Sequence, residues 1–286
     1  MLWEALIGGA VGGLLGGPWG MAAGAALGAG LDVFRDRVAP PLDGVLTAAH
    51  HDDGLLLTAT LSEPIPEGGF ALFEAFDHDE NRLAATDAAQ RFANRWGHFQ
   101  LTTSVHDGGV RAFLPFGVVD SGSATLDLRL RVFGAPEPDE LDLIGELRVT
   151  VDWPQAAYSA ARFWRPLLGL CMAVAHADGA VDRGEVRLVR QRVAAGLGIP
   201  VEEIETVTEI LRTEPSASLV TLIDALRLRA PRLQARHVIG ALADVAHADG
   251  AVSPEEVAMI RAVGAAMGVS PSHWRAWADE MGLEPR

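Results

Sequence analysis

The sequence predicts an α+β chain built of separate modules, and three observations carry that expectation. The apolar period changes from two to about 3.6 near residue 153, an eight-residue block occurs twice in the helical part, and the chain opens on an uncharged, glycine-rich stretch. The expected order is a Gly-rich N-terminal helical segment over 1–38, an acidic antiparallel β-sandwich over 42–153, and an all-α bundle with internal duplication over 159–286. Length supports more than one domain, and 49% apolar residues support packed cores rather than disorder.

The first segment holds 27 consecutive uncharged residues between Glu4 and Asp32, long enough to cross a bilayer. Its glycines recur at 8, 12, 16, 20, 24 and 28, a four-residue step that lays a smooth stripe along a helix where another backbone can approach closely. Pro18 would kink or split that helix. Three readings stand: a membrane span or re-entrant hairpin, a glycine zipper that self-associates without spanning, and a flexible arm. No basic stretch precedes the segment, which argues against a secretory signal. Arg35 and Arg37 follow it, so a span would leave the body on the cytoplasmic side of the membrane; without a span the expected location is cytoplasmic. A lone cysteine, Cys171, agrees with a reducing compartment and reads as a small buried hydrophobe.

Pro40-Pro41 ends this segment, and period-two runs follow. Residues 55–61, 70–76, 99–105, 124–132 and 145–151 all read as strands, and from Leu126 to Val132 apolar and polar residues alternate without a break. Roughly seven strands in this span suit a sandwich. This middle part owns most of the net charge of −15, since residues 42–158 carry 7 Arg against 19 acids. A field of that sign repels phosphate backbones, which excludes nucleic acid as the expected partner and leaves protein partners and divalent cations.

Two local clusters invite a metal reading. In His50-His51-Asp52-Asp53-Gly54, neighbouring strand residues point to opposite faces, and Asp-Gly reads as a turn. Asp77-His78-Asp79-Glu80-Asn81 spaces oxygen ligands like the start of a calcium loop. Arg82 stands where such a loop needs glycine, so a hairpin tip is expected.

The helical part reads as helices near 159–177, 183–196, 201–212, 217–229, 232–248, 254–267 and 271–281. Within it, Val174-Ala175-His176-Ala177-Asp178-Gly179-Ala180-Val181 recurs residue for residue as Val245-Ala246-His247-Ala248-Asp249-Gly250-Ala251-Val252. The same shift of 71 carries Glu185 onto Glu256, Val189 onto Ile260 and Arg190 onto Arg261. Gly179 and Gly250 are placed to end one helix, and Ser253-Pro254-Glu255-Glu256 is a start signal for the next, with a serine cap, proline at the first position and glutamate at the third.

Paired A-x-A-D-G-x-V blocks, each ending one helix and opening the next, resemble the two halves of the TerB domain, and the resemblance covers residues 159–286. It implies a helical bundle linked to tellurite resistance and envelope stress, whose acidic residues have been proposed to bind a divalent cation such as Ca²⁺ or Mg²⁺. Carried over, the metal residues are Asp178, Asp182 and Glu185 in the first block and Asp249 and Glu256 in the second. Beside that stands a purely structural reading, with Glu185 and Glu256 as capping acids, Asp182 and Ser253 as N-caps, and the Asp-Gly aspartates bonding their own turns. The N-terminal pattern GGPWGMAAGAALGAGLD also resembles the anchor of the membrane-bound J-domain co-chaperone DjlA, which precedes a TerB-like domain. No His-Pro-Asp tripeptide occurs here, so co-chaperone activity does not transfer.

No phosphate loop, HExxH, CxxC or G-x-S-x-G turn occurs, and no catalytic or cofactor-binding residues are assigned. The expectation is a non-enzymatic, membrane-associated interaction protein that meets a protein partner through its sandwich or its bundle. The alternatives are a soluble metal or tellurite stress sensor and, more remotely, a hydrolase using His50, His51 and nearby acids.

Overall fold

A computed structural model describes residues 39–283, except 94–97, 107–108, 135–142, 180–182, 214–216, 231–232, 249 and 251. The N-terminal segment, with its anchor, zipper and arm readings, lies outside the described residues. Among the described residues no helix is long and apolar enough to cross a membrane. The chain divides into two compact units, one ending at Tyr158 and the other running from Ser159 onward.

The first unit is built on antiparallel strands, with one short 3₁₀ helix, Asp87–Phe92, between the third and fourth. Its strands are β1 (Gly44–His51), β2 (Gly54–Leu61), β3 (Phe70–Phe76), β4 (Gln100–Thr102), β5 (Ser104–His106), β6 (Gly109–Pro115), β7 (Thr125–Phe133) and β8 (Leu143–Asp152). They form two four-stranded sheets, in the orders β1-β2-β6-β5 and β4-β3-β7-β8. Asp52 and Asp53 make the two-residue connection between β1 and β2, with His51 opposite Gly54. The alternation seen in the sequence places Leu55, Leu57 and Ala59 of β2, Ala71, Phe73 and Ala75 of β3, and Leu126, Leu128 and Leu130 of β7 in the core.

The run at 99–105, expected as one strand, is two strands in different sheets. The N–H (3.3 Å) and the hydroxyl (3.0 Å) of Thr103 both donate to the Ala71 carbonyl, the last bonds in register with β3, and the next residues, Ser104–His106, pair with β6 instead. The Asp77–Asn81 run is a turn. One Asp77 carboxylate oxygen accepts from the backbone N–H groups of Asp79 (2.9 Å) and Asn81 (2.8 Å), and the other accepts from the Asn81 amide (3.0 Å). These hydrogen bonds, chiefly the one from the Asn81 side chain, hold the Asp77 carboxyl below its ordinary range. His50 and His51 sit beside different rings, Phe116 and Phe113, as their opposite faces require.

The second unit is helical. Its helices are α1 (Ala160–Phe163), α2 (Arg165–Ala175), α3 (Arg183–Leu188), α4 (Ala194–Gly196), α5 (Ile204–Thr213), α6 (Leu219–Arg229), α7 (Ala235–Ala246), α8 (Pro254–Ala266) and α9 (Pro271–Glu280). A π-helical turn, Val189–Val193, joins α3 to α4, and a 3₁₀ turn, Val201–Glu203, precedes α5. The stretch 159–177, expected as one helix, breaks at Trp164. Pro166 has no N–H to give the Arg162 carbonyl, so one helix stops at Phe163 and another begins. Glu203 fixes the start of α1 by accepting from the Ala160 and Ala161 N–H groups at 3.1 and 2.9 Å. All residues from Pro166 to Ala175 are buried, because α2 is packed against by α5, α6, α7 and α8.

Candidate functional site

The duplicated blocks form two helix–turn–helix units, α2 with α3 and α7 with α8, and their turns match bond for bond. His176 and His247 end their helices, donating N–H to Met172 and Ala243 at 3.0 Å in both. Ala177 and Ala248 donate to Val174 and Val245 at 2.9 Å, and Gly179 and Gly250 donate to the two histidine carbonyls at 3.1 Å. Both glycines are left-handed, with φ of 86° and 93°, a conformation any Cβ would oppose. The two units pack on each other, α2 against α7 and α8, and α7 against α3.

The start of the second helix is spelled out in α8. The Ser253 hydroxyl accepts from the Glu256 N–H (3.1 Å), and the Glu256 carboxylate accepts from the Ser253 N–H (2.7 Å), a complete capping box. Glu256 and Glu185 are each only 5% exposed, so the two copies bury the same acid at the same place. Asp178 is exposed at the first turn, while Asp182 and Asp249 lie outside the described residues. Among the described residues no three His, Cys, Asp or Glu side chains gather as a metal would need. The histidines of the blocks are exposed, and the His247 ring meets the Met281 carbonyl at 2.9 Å, tying the end of α9 to the second turn. Cys171, on α2, is fully buried, and burial pushes its thiol up to about 12.

After the repeated turn the copies diverge by one residue. At the start of the second helix the shift between them is 71, with Val189 over Ile260. At its end the shift is 70: Gly198 and Ile199 donate to Ala195 and Ala194, as Gly268 and Val269 donate to Ala265 and Gly264. The extra residue of the first copy is taken up in the π-helical turn Val189–Val193, which lies where the shift changes. Val189, Val193, Ile260 and Val263 are all fully buried, so the bulge keeps both apolar positions of the first copy on the core.

Residues 165–278 match the family model described as tellurite resistance protein TerB. The helical unit is a TerB-like domain. The match takes in both helix–turn–helix units and stops short of the sandwich. No curated protein matches the chain.

Outside the TerB-like domain, the sandwich holds a polar feature that no motif in the sequence announces. The face of β3, β7 and β8 turned away from the core carries a ladder of ion pairs. Glu74 lies against Arg131 (3.2 Å) and Arg82 (3.5 Å), and Glu146 against Arg131 (3.5 Å) and Arg148. Glu80, from the turn after β3, reaches both Arg129 and Arg148, and Asp127 closes the series on Arg129 (3.0 Å). Glu74, Arg129, Arg131 and Glu146 are buried. The hydrogen bond from Arg129 holds the Glu80 carboxyl below its ordinary range. The signal was present in the sequence as the polar half of the alternation, Asp127, Arg129 and Arg131, but period alone does not say which charges will meet.

Proposed function

We propose that this chain is a non-enzymatic interaction protein held at the cytoplasmic side of a membrane by its glycine-rich segment, with the sandwich and the TerB-like domain as its two binding modules. The repeated motif supports this reading. Its most buried acid in the second copy, Glu256, gives its carboxylate to the backbone of its own helix start, which makes a fold and not a reaction centre. The same bond favours a structural role for the acidic pairs over a cation site, because a carboxylate engaged at a helix N-terminus is a poorer metal ligand.

Fractionation tests the anchoring. The full chain is expected in the membrane fraction and a chain lacking residues 1–38 in the soluble one; recovery of both in the soluble fraction would defeat it. Calorimetric titration of the full chain with Ca²⁺ or Mg²⁺ is expected to give no heat. A saturable signal would instead favour the cation-responsive sensor.

A further inference from the structure

The edges of the two sheets are treated unequally. On β8, the residues before β1 cover the edge: Leu42 donates to the Glu146 carbonyl and the Glu146 N–H to Pro40, both at 3.0 Å. β4 and β5 are three residues long, too short to template another strand. β1 is different. It pairs with β2 over eight residues without a bulge, and its sequence, GVLTAAHH, holds no proline, lysine, arginine or acid.

The register shows which of its backbone groups point outward. Ser62 donates to the Asp43 carbonyl, so odd-numbered residues of β1 bond to β2 and even-numbered ones turn away. Near its start β1 runs beside β8, Gly44 against Leu147. Beyond that, the N–H and C=O groups of Leu46, Ala48 and His50 have no backbone partner among the described residues. Proteins that keep such an edge without charge, proline or bulge leave a template for strand addition.

We infer that β1 is a docking edge for an extended, basic polypeptide segment of a partner protein. Charge selects this occupant. Asp43 immediately precedes the strand and Asp52 and Asp53 immediately follow it, so a neutral edge is bracketed by carboxylates roughly 30 Å apart. An added strand with a basic residue at each end answers both. A second copy of β1 is disfavoured, because antiparallel pairing of β1 with itself about Ala48, outward residue opposite outward residue, sets Asp43 of one copy opposite Asp53 of the other, like charge on like.

This inference rests on the interaction reading above but is tested separately. The probes are two fluorescent ten-residue peptides of alternating Val and Thr, one ended by Arg at both termini and one by Glu, titrated into the full chain. The Arg-ended peptide is expected to bind at least tenfold more tightly, less so at high salt, and to protect the amides of Leu46, Ala48 and His50 from hydrogen exchange. Ala48→Pro removes an outward N–H without touching the ladder to β2, and is expected to lose binding tenfold while thermal stability holds. Should that variant unfold, exchange protection in the unaltered chain decides. Equal binding of both peptides, or binding without protection of those amides, overturns the inference. Fractionation then separates the failures: a membrane-bound chain that ignores the peptide defeats only the β1 edge, and a soluble chain that binds it defeats only the anchoring.

Discussion

The two helix–turn–helix copies of the TerB-like domain share the three described backbone bonds of the turn to within a tenth of an ångström, yet the helix after the turn is one residue longer in the first copy. The turn is alike in both because the same left-handed glycine, helix end and helix start are compressed into a few residues. The following helix needs only to return its apolar positions to the core. A π-helical turn absorbs the extra residue between Arg190 and Val193, and both ends of the helix stay in phase with the second copy.

The largest expected effect comes from deleting one residue in each copy. Removing Gln191 should convert the π-helical turn to plain α-helix and change stability by no more than about 1 kcal/mol. Removing Ala262 from α8, which has no residue to spare, turns everything beyond it by about 100° and takes Val263 off the core. A loss above about 4 kcal/mol, or failure to fold, is expected there. Urea unfolding followed by circular dichroism at the helical band checks both, and equal losses would break the comparison.

Next in size are the buried acids. Glu256→Ala should cost about 1–2 kcal/mol by leaving the Ser253 N–H without its partner. If the copies are built alike, Glu185→Ala should cost the same within experimental scatter, and the same unfolding curves measure it.

Cys171 offers a chemical probe of the first copy. It occupies in α2 the place Leu242 occupies in α7, and both are fully buried. With its thiol pushed up to about 12, it should resist iodoacetamide at pH 8 in the folded chain and react fully in urea. Mass spectrometry reads the adduct, and prompt labelling of native protein would show that the first copy opens locally.

The smallest effect belongs to Gly264, whose counterpart in the first copy is Ala194. An added Cβ would meet Ile239 at 3.2 Å and Trp274 at 3.5 Å. The helix-propensity gain of about 1 kcal/mol is therefore expected to be largely offset. A melting temperature for Gly264→Ala within a few degrees of the parent is the outcome sought.

Much of this was legible from residues alone, for reasons that also mark the limits. The helical segments and the capping box follow from local rules, and Ser253, Pro254 and Glu256 announce themselves by spacing. The break at Trp164 is marked in the sequence by Pro166, which cannot continue the helix ladder to Arg162. The π-helical turn was readable as a change of shift from 71 to 70, but only once the end of the helix was aligned as well as its start. The strand switch at Thr103 was not readable, since FQLTTSV keeps one period of two through it and nothing local says that Ser104 leaves β3 for β6. Nor was the ion ladder, which depends on the register of three strands and a turn. Of the five acids proposed as ligands, the structure describes three; it buries Glu185 and Glu256 at helix starts and leaves Asp178 exposed.

The ladder on the outer sheet has an effect at a distance. Four of the seven arginines of residues 42–158 meet four acids within it, and in the sequence of that stretch the other fifteen acids stand against three arginines. The net charge of this stretch, 7 Arg against 19 acids, is strongly negative. A cationic ligand would be drawn in from beyond contact range, fastest in dilute salt and progressively more slowly as the Debye length shrinks below about 10 Å.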